Sequence, residues 1–270
     1  MTSFSLDPTA LGTAAHRLAD IAMAAGEAIM RIYAAPVEAE RKADGSPLTA
    51  ADLAAEAVIA EGLGREFPGL PVISEEAATT VEGLGAQGET FLLVDPLDGT
   101  KEFLSRTHEF TVNIAVIAGG RPRAGVVYAP ALGWLWLGAV GAGAEMAEAA
   151  PGRPFAGAAR RRISVRPRPA KDLVAVASRS HLDPETQAFL ASLPVGDRRS
   201  IGSSLKFCLV AEGEADVYPR FGPTMEWDTG AGQAVLEAAG GRVTTPSGAP
   251  LAYGKAAAGY RNGPFIAWGA

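Results

Sequence analysis

The chain has 270 residues, of which 48% are apolar, enough to bury a sizeable core in one large α/β domain or in two smaller ones sharing a core. With 24 basic and 30 acidic residues and a net charge of −6, it lacks the basic surplus of a nucleic-acid binder, and a polyanionic ligand would need a local basic patch or metal ions. The single cysteine, Cys208, excludes an internal disulfide and a cysteine-based metal cluster, which suits a reducing, cytoplasmic setting.

Residues 1–10 have no basic n-region and contain Asp7 and Pro8, so no signal peptide is expected. No run approaches about 18 uninterrupted apolar residues, so no membrane span is expected, while peripheral attachment stays open. Leu18, Ile21, Ala22, Ala25, Ala28, Ile29 and Ile32 recur at helical spacing and predict a first amphipathic helix over 11–33. His16 within it is given no role. Residues 40–47 are polar and turn-rich and read as a loop or hairpin, from which Lys42 and Asp44 either swing over a site or face solvent. Thr49 with Asp52 three residues later resembles a capping box opening a second helix to about Phe67. On local grounds capping alone accounts for Asp52. Pro71 to Ser74 predict a short strand ending in Glu75-Glu76, and residues 77–90 a surface loop.

The chain is organised around Asp95-Pro96-Leu97-Asp98-Gly99-Thr100, which follows the apolar run Phe91-Leu92-Leu93-Val94. The run predicts a buried strand, Pro96 its end in a sharp turn, and Gly99 a backbone that a side chain would forbid. Asp95 and Asp98 are then expected together at a strand end, facing the free N–H groups of a short following helix. Two adjacent carboxylates repel unless a cation lies between them, and hard oxygen ligands beside an anion-binding helix end describe a Mg²⁺-dependent phosphoryl-transfer site. The competing reading is a plain turn, because Asp-Pro and Asp-Gly are common turn formers.

Residues 111–117, 124–128 and 132–137 predict consecutive strands with short turns, hence an antiparallel meander, with Trp134 and Trp136 packing on one face. Residues 141–160 are rich in glycine and alanine and mark a boundary between two subdomains, 1–155 and 156–270. Arg160, Arg161 and Arg162 read as a solvated turn. Beyond them strands over 173–177 and 215–220 alternate with helices over 184–193 and 205–212, a rhythm of parallel-type sheets. Cys208 falls inside the last of these as a small core residue. A helix from about Glu226 to Ala239 puts Asp228 at its N-terminus, either as a cap or as a further metal ligand. Residues 242–244 and 264–268 complete the strands.

Taken together, Ser46-Pro47-Leu48-Thr49-Ala50-Ala51-Asp52, Glu75-Glu76, residues 95–103, Ser178-Arg179-Ser180-His181, residues 201–207, Tyr218 to Thr224 and Trp227-Asp228 resemble the inositol monophosphatase-like superfamily of Mg²⁺-dependent, lithium-sensitive phosphatases. Within it they are most similar to the CysQ branch, the 3'(2'),5'-bisphosphate nucleotidases, over about residues 15–268. The resemblance implies an α/β (α+β) fold, a layered αβαβα sandwich of the inositol monophosphatase and fructose bisphosphatase type, with a mixed, mainly antiparallel sheet and a second, smaller sheet. It implies two to three Mg²⁺ ions. Glu75, Asp95 and the Leu97 carbonyl would hold one, and Asp95, Asp98 and Asp228 a second. Gly99 and Thr100 N–H groups would cradle the scissile phosphate, and Asp52 with the Thr100 hydroxyl would orient the attacking water. Ser178, Arg179, His181, Ser203, Lys206 and Arg220, with Asp228, would contact the nucleotide.

The implied substrate is adenosine 3',5'-bisphosphate, cleaved to AMP, with 3'-phosphoadenylyl sulfate as a related one, in a cytoplasmic enzyme serving sulfate assimilation as a monomer or homodimer. Two alternatives stand beside it: an inositol or sugar phosphatase of the same superfamily, and a nucleotide-binding sensor without turnover.

Overall fold

The computed structural model describes residues 4–35, 39–41, 47–78, 90–178 and 183–270. The first helix, α1 (Pro8–Tyr33), starts three residues before the apolar periodicity does, because Asp7 accepts from the N–H groups of Thr9 and Ala10 and Pro8 fits the first turn. A hairpin of β1 (Ala39–Arg41) and β2 (Pro47–Thr49) leads into α2 (Ala50–Glu66), which opens on the expected capping box of Thr49 and Asp52. Lys42 and Asp44 lie outside the described residues. Next come β3 (Val72–Ser74), a one-turn helix α3 (Glu75–Ala78), β4 (Thr90–Asp98) and the short α4 (Thr100–Leu104). The meander continues through β5 (Thr111–Ala118), β6 (Arg121–Ala129), β7 (Trp134–Ala139), β8 (Gly143–Glu148) and β9 (Arg160–Ile163). These strands form one seven-stranded sheet in the order β3-β4-β5-β6-β7-β8-β9, parallel only at β3–β4.

Two expectations are corrected here. Pro96 does not end its strand. The ladder runs on to Asp98, with a register shift: Asp95 faces Asn113 and Asp98 faces Thr111, so two residues of β4 bulge where β5 has one. A bulge is one of the few sheet positions that tolerates a proline. The arginine run is not a turn either. Arg160–Ile163 is the edge strand of the sheet, and its guanidinium groups reach the carboxylates of Glu145 and Glu212. Charged side chains on an edge discourage further strand pairing, a use of arginine that composition does not reveal. The sheet thus extends past residue 155.

The second half contributes β10 (Leu173–Ser178), α5 (Pro184–Ala191), β11 (Val195–Ile201), α6 (Leu205–Ala211), β12 (Val217–Arg220), β13 (Thr224–Met225), α7 (Gly230–Ala238), β14 (Arg242–Thr244), β15 (Arg261–Asn262) and β16 (Phe265–Trp268). Five of these strands form a sheet in the order β11-β10-β12-β16-β14, parallel among the first three and antiparallel at β16. Strand β11 was not expected: it is largely exposed and polar, so no periodicity announces it. The helix over 226–239 begins only at Gly230, after a turn over 226–229.

The layers follow from which faces are apolar. α1 and α2 bury Leu18, Ile29, Ala55 and Ile59 on one face of the large sheet. α6 and α7 bury Phe207, Cys208, Val235 and Leu236 between the two sheets, where Trp136 also packs. α5 covers the far face of the small sheet with Leu190. The order is αβαβα, as expected. Among the described residues no helix is long and apolar enough to cross a membrane.

Candidate active site

Strand β4 carries Asp95, Leu97 and Asp98 to its C-terminal end, where Gly99 turns the chain at φ 94°. A side chain would not fit there comfortably: a Cβ at Gly99 would lie 3.2 Å from the Glu109 carbonyl oxygen. Asp95 and Asp98 line a cleft of about 300 Å³ together with Glu75 from α3, Gly99 and Thr100 at the start of α4, and Asp228 from the turn before α7. Ser178, Ser203, Lys206 and Arg220 from the second half line the same cleft. The chain therefore brings both sets of expected residues to one place. Arg179 and His181 lie outside the described residues.

Asp52 is buried beside the cleft. Its Oδ2 accepts from Thr49 N–H at 2.8 Å and the Thr49 hydroxyl at 2.6 Å, while Oδ1 lies 3.5 Å from Thr100 Oγ1. Capping and a position at the site are thus compatible. Asp228 is not a cap. Its Oδ2 accepts from Met225 N–H at 2.9 Å, and the cap position of α7 falls to Thr229.

The electrostatics of the cleft are those of crowded, desolvated acids. Burial, then the charges of Glu75, Asp98 and Asp228, push the Asp95 carboxyl well above the usual carboxylate range. Burial raises Asp98 as well, opposed by Lys206 and by hydrogen bonds from Ser204 and Asn113. Asp228 is pushed up to about 7, first by burial and then by Asp98. Such a set holds its charge at a cost that a nearby cation relieves. The donors are all hard oxygens, the ligand chemistry of Mg²⁺. Among the described residues no three such side chains close round a single point. The carboxylates line the cleft wall, so an ion here would share them and complete its shell with water and substrate, as Mg²⁺ does.

Two residues that support these acids escaped the reading of the sequence. Asn113 faces Asp95 across the ladder, donates to Asp98 Oδ2 at 3.3 Å, and accepts from the Thr111 hydroxyl at 3.0 Å. Ser204 Oγ lies 3.1 Å from Asp98 Oδ2 and 2.9 Å from the Asp228 carbonyl oxygen, and accepts from Asn113 at 2.9 Å. It joins the two halves of the site. Asn113 had a signal, as an amide inside an otherwise apolar run, which has to find buried partners. Ser204 had none. Lys206 is 3% exposed, and its ammonium donates to the carbonyls of Ser203 at 2.5 Å and Ile201 at 3.3 Å. Burial lowers its pKa to about 8, against the pull of Asp98.

Residues 13–265 match the model of the inositol monophosphatase family. The chain is 46% identical over 239 residues to the 3'(2'),5'-bisphosphate nucleotidase CysQ of Escherichia coli strain K12, covering 88% of this chain and 92% of that one. It is 47% identical over 240 residues to its namesake in Salmonella typhimurium, covering 88% and 93%. The crystal structure of CysQ from Bacteroides thetaiotaomicron, a bacterial member of the inositol monophosphatase family, superposes with a TM-score of 0.79 at 41% identity, over 95% of this chain and 97% of that one. Members of the family are metal-dependent phosphatases, generally using Mg²⁺. By the length of the match and by its fold, this chain belongs to the inositol monophosphatase family.

Proposed function

We propose that the chain is a 3'(2'),5'-bisphosphate nucleotidase that hydrolyses the 3'-phosphate of adenosine 3',5'-bisphosphate to AMP and phosphate, and accepts 3'-phosphoadenylyl sulfate as a related substrate. The observation that carries this reading is one cleft with two chemistries, acids from both halves of the chain (Glu75, Asp95, Asp98 and Asp228) and Ser178, Ser203 and Arg220 from the second. A bisphosphate has one phosphate for each. The near relatives named above are nucleotidases of this kind.

In this reading Glu75, Asp95, Asp98, Asp228 and the Leu97 carbonyl would hold two to three Mg²⁺ ions between them. Bound there, Mg²⁺ supplies neutralising charge to the phosphate and the leaving oxygen and makes a bound water more acidic. The Gly99 and Thr100 N–H groups donate to the scissile phosphate, orienting it for attack. The Thr100 hydroxyl and Asp52 hold the water, with Asp52 Oδ1 positioned to take its proton. The support for that pairing is the 3.5 Å separation of Thr100 Oγ1 from Asp52 Oδ1. Ser204 and Asn113 fix the Asp98 carboxylate from behind. The reading makes the protein a cytoplasmic, lithium-sensitive enzyme that removes an adenosine bisphosphate by-product of sulfate assimilation.

The test is phosphate release from adenosine 3',5'-bisphosphate and from inositol 1-phosphate, with Mg²⁺, with and without lithium, on the wild type and Asp95→Asn. The nucleotide should be turned over faster, lithium should suppress the rate, and Asp95→Asn should lose at least about 10²-fold. Preference for inositol 1-phosphate would overturn the substrate assignment.

A further inference from the structure

The turn that carries Asp228 is backed by a segment outside every motif of the site, residues 252–262. Strand β15 pairs with β13, Asn262 opposite Thr224 and Arg261 opposite Met225. Met225 N–H in turn holds Asp228 Oδ2 at 2.9 Å. Just before β15, Tyr260 has a φ of 59°, a left-handed conformation that a non-glycine residue keeps only where its surroundings impose it. Its carbonyl accepts from Glu226 N–H at 2.8 Å.

Asn262 is 2% exposed, and both ends of its amide are engaged. Oδ1 accepts from the Lys255 ammonium at 2.7 Å. Nδ2 donates to Thr229 Oγ1 at 2.7 Å and to the Met225 carbonyl at 3.4 Å. These partners fix which way the amide points, because an ammonium can only donate and a carbonyl can only accept. The two Nδ2 partners flank Asp228 in the chain. Lys255 is itself anchored: its ammonium lies 3.0 Å from Glu226 Oε1. The Glu226 carboxylate is fully buried and also accepts from the N–H groups of Gly254 and Lys255 at 2.7 and 2.9 Å. Removing one partner of such a buried pair is strongly destabilising, so the arrangement behind Asn262 is fixed.

The load on this turn is electrostatic. Asp228 shares its cleft with Glu75, Asp95 and Asp98, and like charges at close range push apart. A metal needs them to stay together. Side chains that hold a metal ligand from behind set metal affinity by about 10- to 100-fold.

We propose that Asn262 is a positioning residue for Asp228: its amide, oriented by the Glu226–Lys255 pair, clamps both flanks of the turn and keeps the Asp228 carboxylate in place for Mg²⁺. The inference rests on the reading of Asp228 as a metal ligand.

The experiment follows the melting temperature of the substrate-free protein as Mg²⁺ is added. Binding to the folded state raises it, which gives an apparent Kd for Mg²⁺. Asn262→Asp keeps the size and the acceptor for Lys255 but loses both donors. Asn262→Ala removes the whole amide and adds no charge. Asp228→Asn is run beside them, and so is Asp216→Asn, which breaks a 2.6 Å ion pair with Arg166 beside β10. The Kd for Mg²⁺ should rise about tenfold in both Asn262 variants and stay within about twofold of the wild type in Asp216→Asn. The added charge of Asn262→Asp would by itself tighten Mg²⁺, so weaker binding there reports geometry. The KM for adenosine 3',5'-bisphosphate at saturating Mg²⁺ should stay within about twofold. A lower melting temperature with an unchanged Kd in the Asn262 variants, or an equal rise of Kd in Asp216→Asn, overturns the proposal. If Asp228→Asn loses Mg²⁺ while the Asn262 variants keep it, only the positioning role falls. Unchanged Mg²⁺ binding in Asp228→Asn overturns the metal-ligand reading itself.

Discussion

In the proposed reading Asp52 carries two duties on one carboxylate. Oδ2 closes the cap of α2 through Thr49, and Oδ1 faces Thr100. The two duties separate by mutation. Asp52→Asn can keep its amide oxygen toward Thr49 but presents no basic oxygen to a water. Its kcat should fall by about 10² or more with little change in stability. Thr49→Ala removes the cap hydroxyl that accepts from Ala51 N–H, and should cost about 1 kcal/mol in denaturant unfolding. If Asp52→Asn lost stability as Thr49→Ala does and kept its rate, Asp52 would be a cap alone.

At the scale of elements, the position of Asp228 depends on how closely α7 lies against the large sheet. Gly125 and Gly138 are partners in the β6–β7 ladder, directly under that helix. A Cβ on Gly138 would come within 2.8 Å of the Val235 Cα, and one on Gly125 within 2.9 Å of the Ala234 Cβ. The glycine pair is therefore a flat place in the sheet that lets a helix backbone approach. Gly138→Val should push α7 outward and cost about 1–3 kcal/mol as overpacking. In the proposed reading Asp228, which precedes that helix, holds Mg²⁺, so the Mg²⁺ concentration giving half-maximal rate should rise with it. A stability loss with an unchanged Mg²⁺ requirement would show that α7 and the 226–229 turn move independently.

At the scale of the molecule, the link between the two sheets is pinned by Asp216. It accepts a forked pair from Arg166 at 2.8 and 2.6 Å and a third bond from Val174 N–H at 2.7 Å, and its carbonyl takes Gly269 N–H. Burial raises the Asp216 pKa, but the Arg166 and Val174 bonds outweigh it, and the carboxyl ends below its ordinary value. A group lowered on folding adds stability above its unfolded pKa of about 4 and loses it as pH falls through the lower folded value. Asp216→Asn should thus cost about 1–2 kcal/mol at neutral pH, since Arg166 is partly exposed, and flatten the loss of stability below about pH 4. The same acid limb in both proteins would assign that limb to other carboxylates.

Much of this molecule was legible in order along the chain. The strand before Asp95, the left-handed turn at Gly99, the capping box at Thr49 and the parallel rhythm of the second half depend on neighbours within a few residues, and local chemistry decides them. So did the acids of the site, because a strand end and a turn announce themselves by residue type. What stayed hidden depends on partners far away in sequence. The bulge that carries β4 past Pro96 exists because β5 is there to pair with, and the edge strand at Arg160 exists because β8 leaves an edge. Ser204 joins Asp98 to Asp228, residues more than a hundred positions apart, and no periodicity encodes that contact. The sequence by itself determined most of the elements, though not β9 or β11, and the residue types of the acids that gather. Only the tertiary structure decided which side chains stand behind those acids, because Asn113 and Ser204 reach Asp98 from elements that only folding brings together.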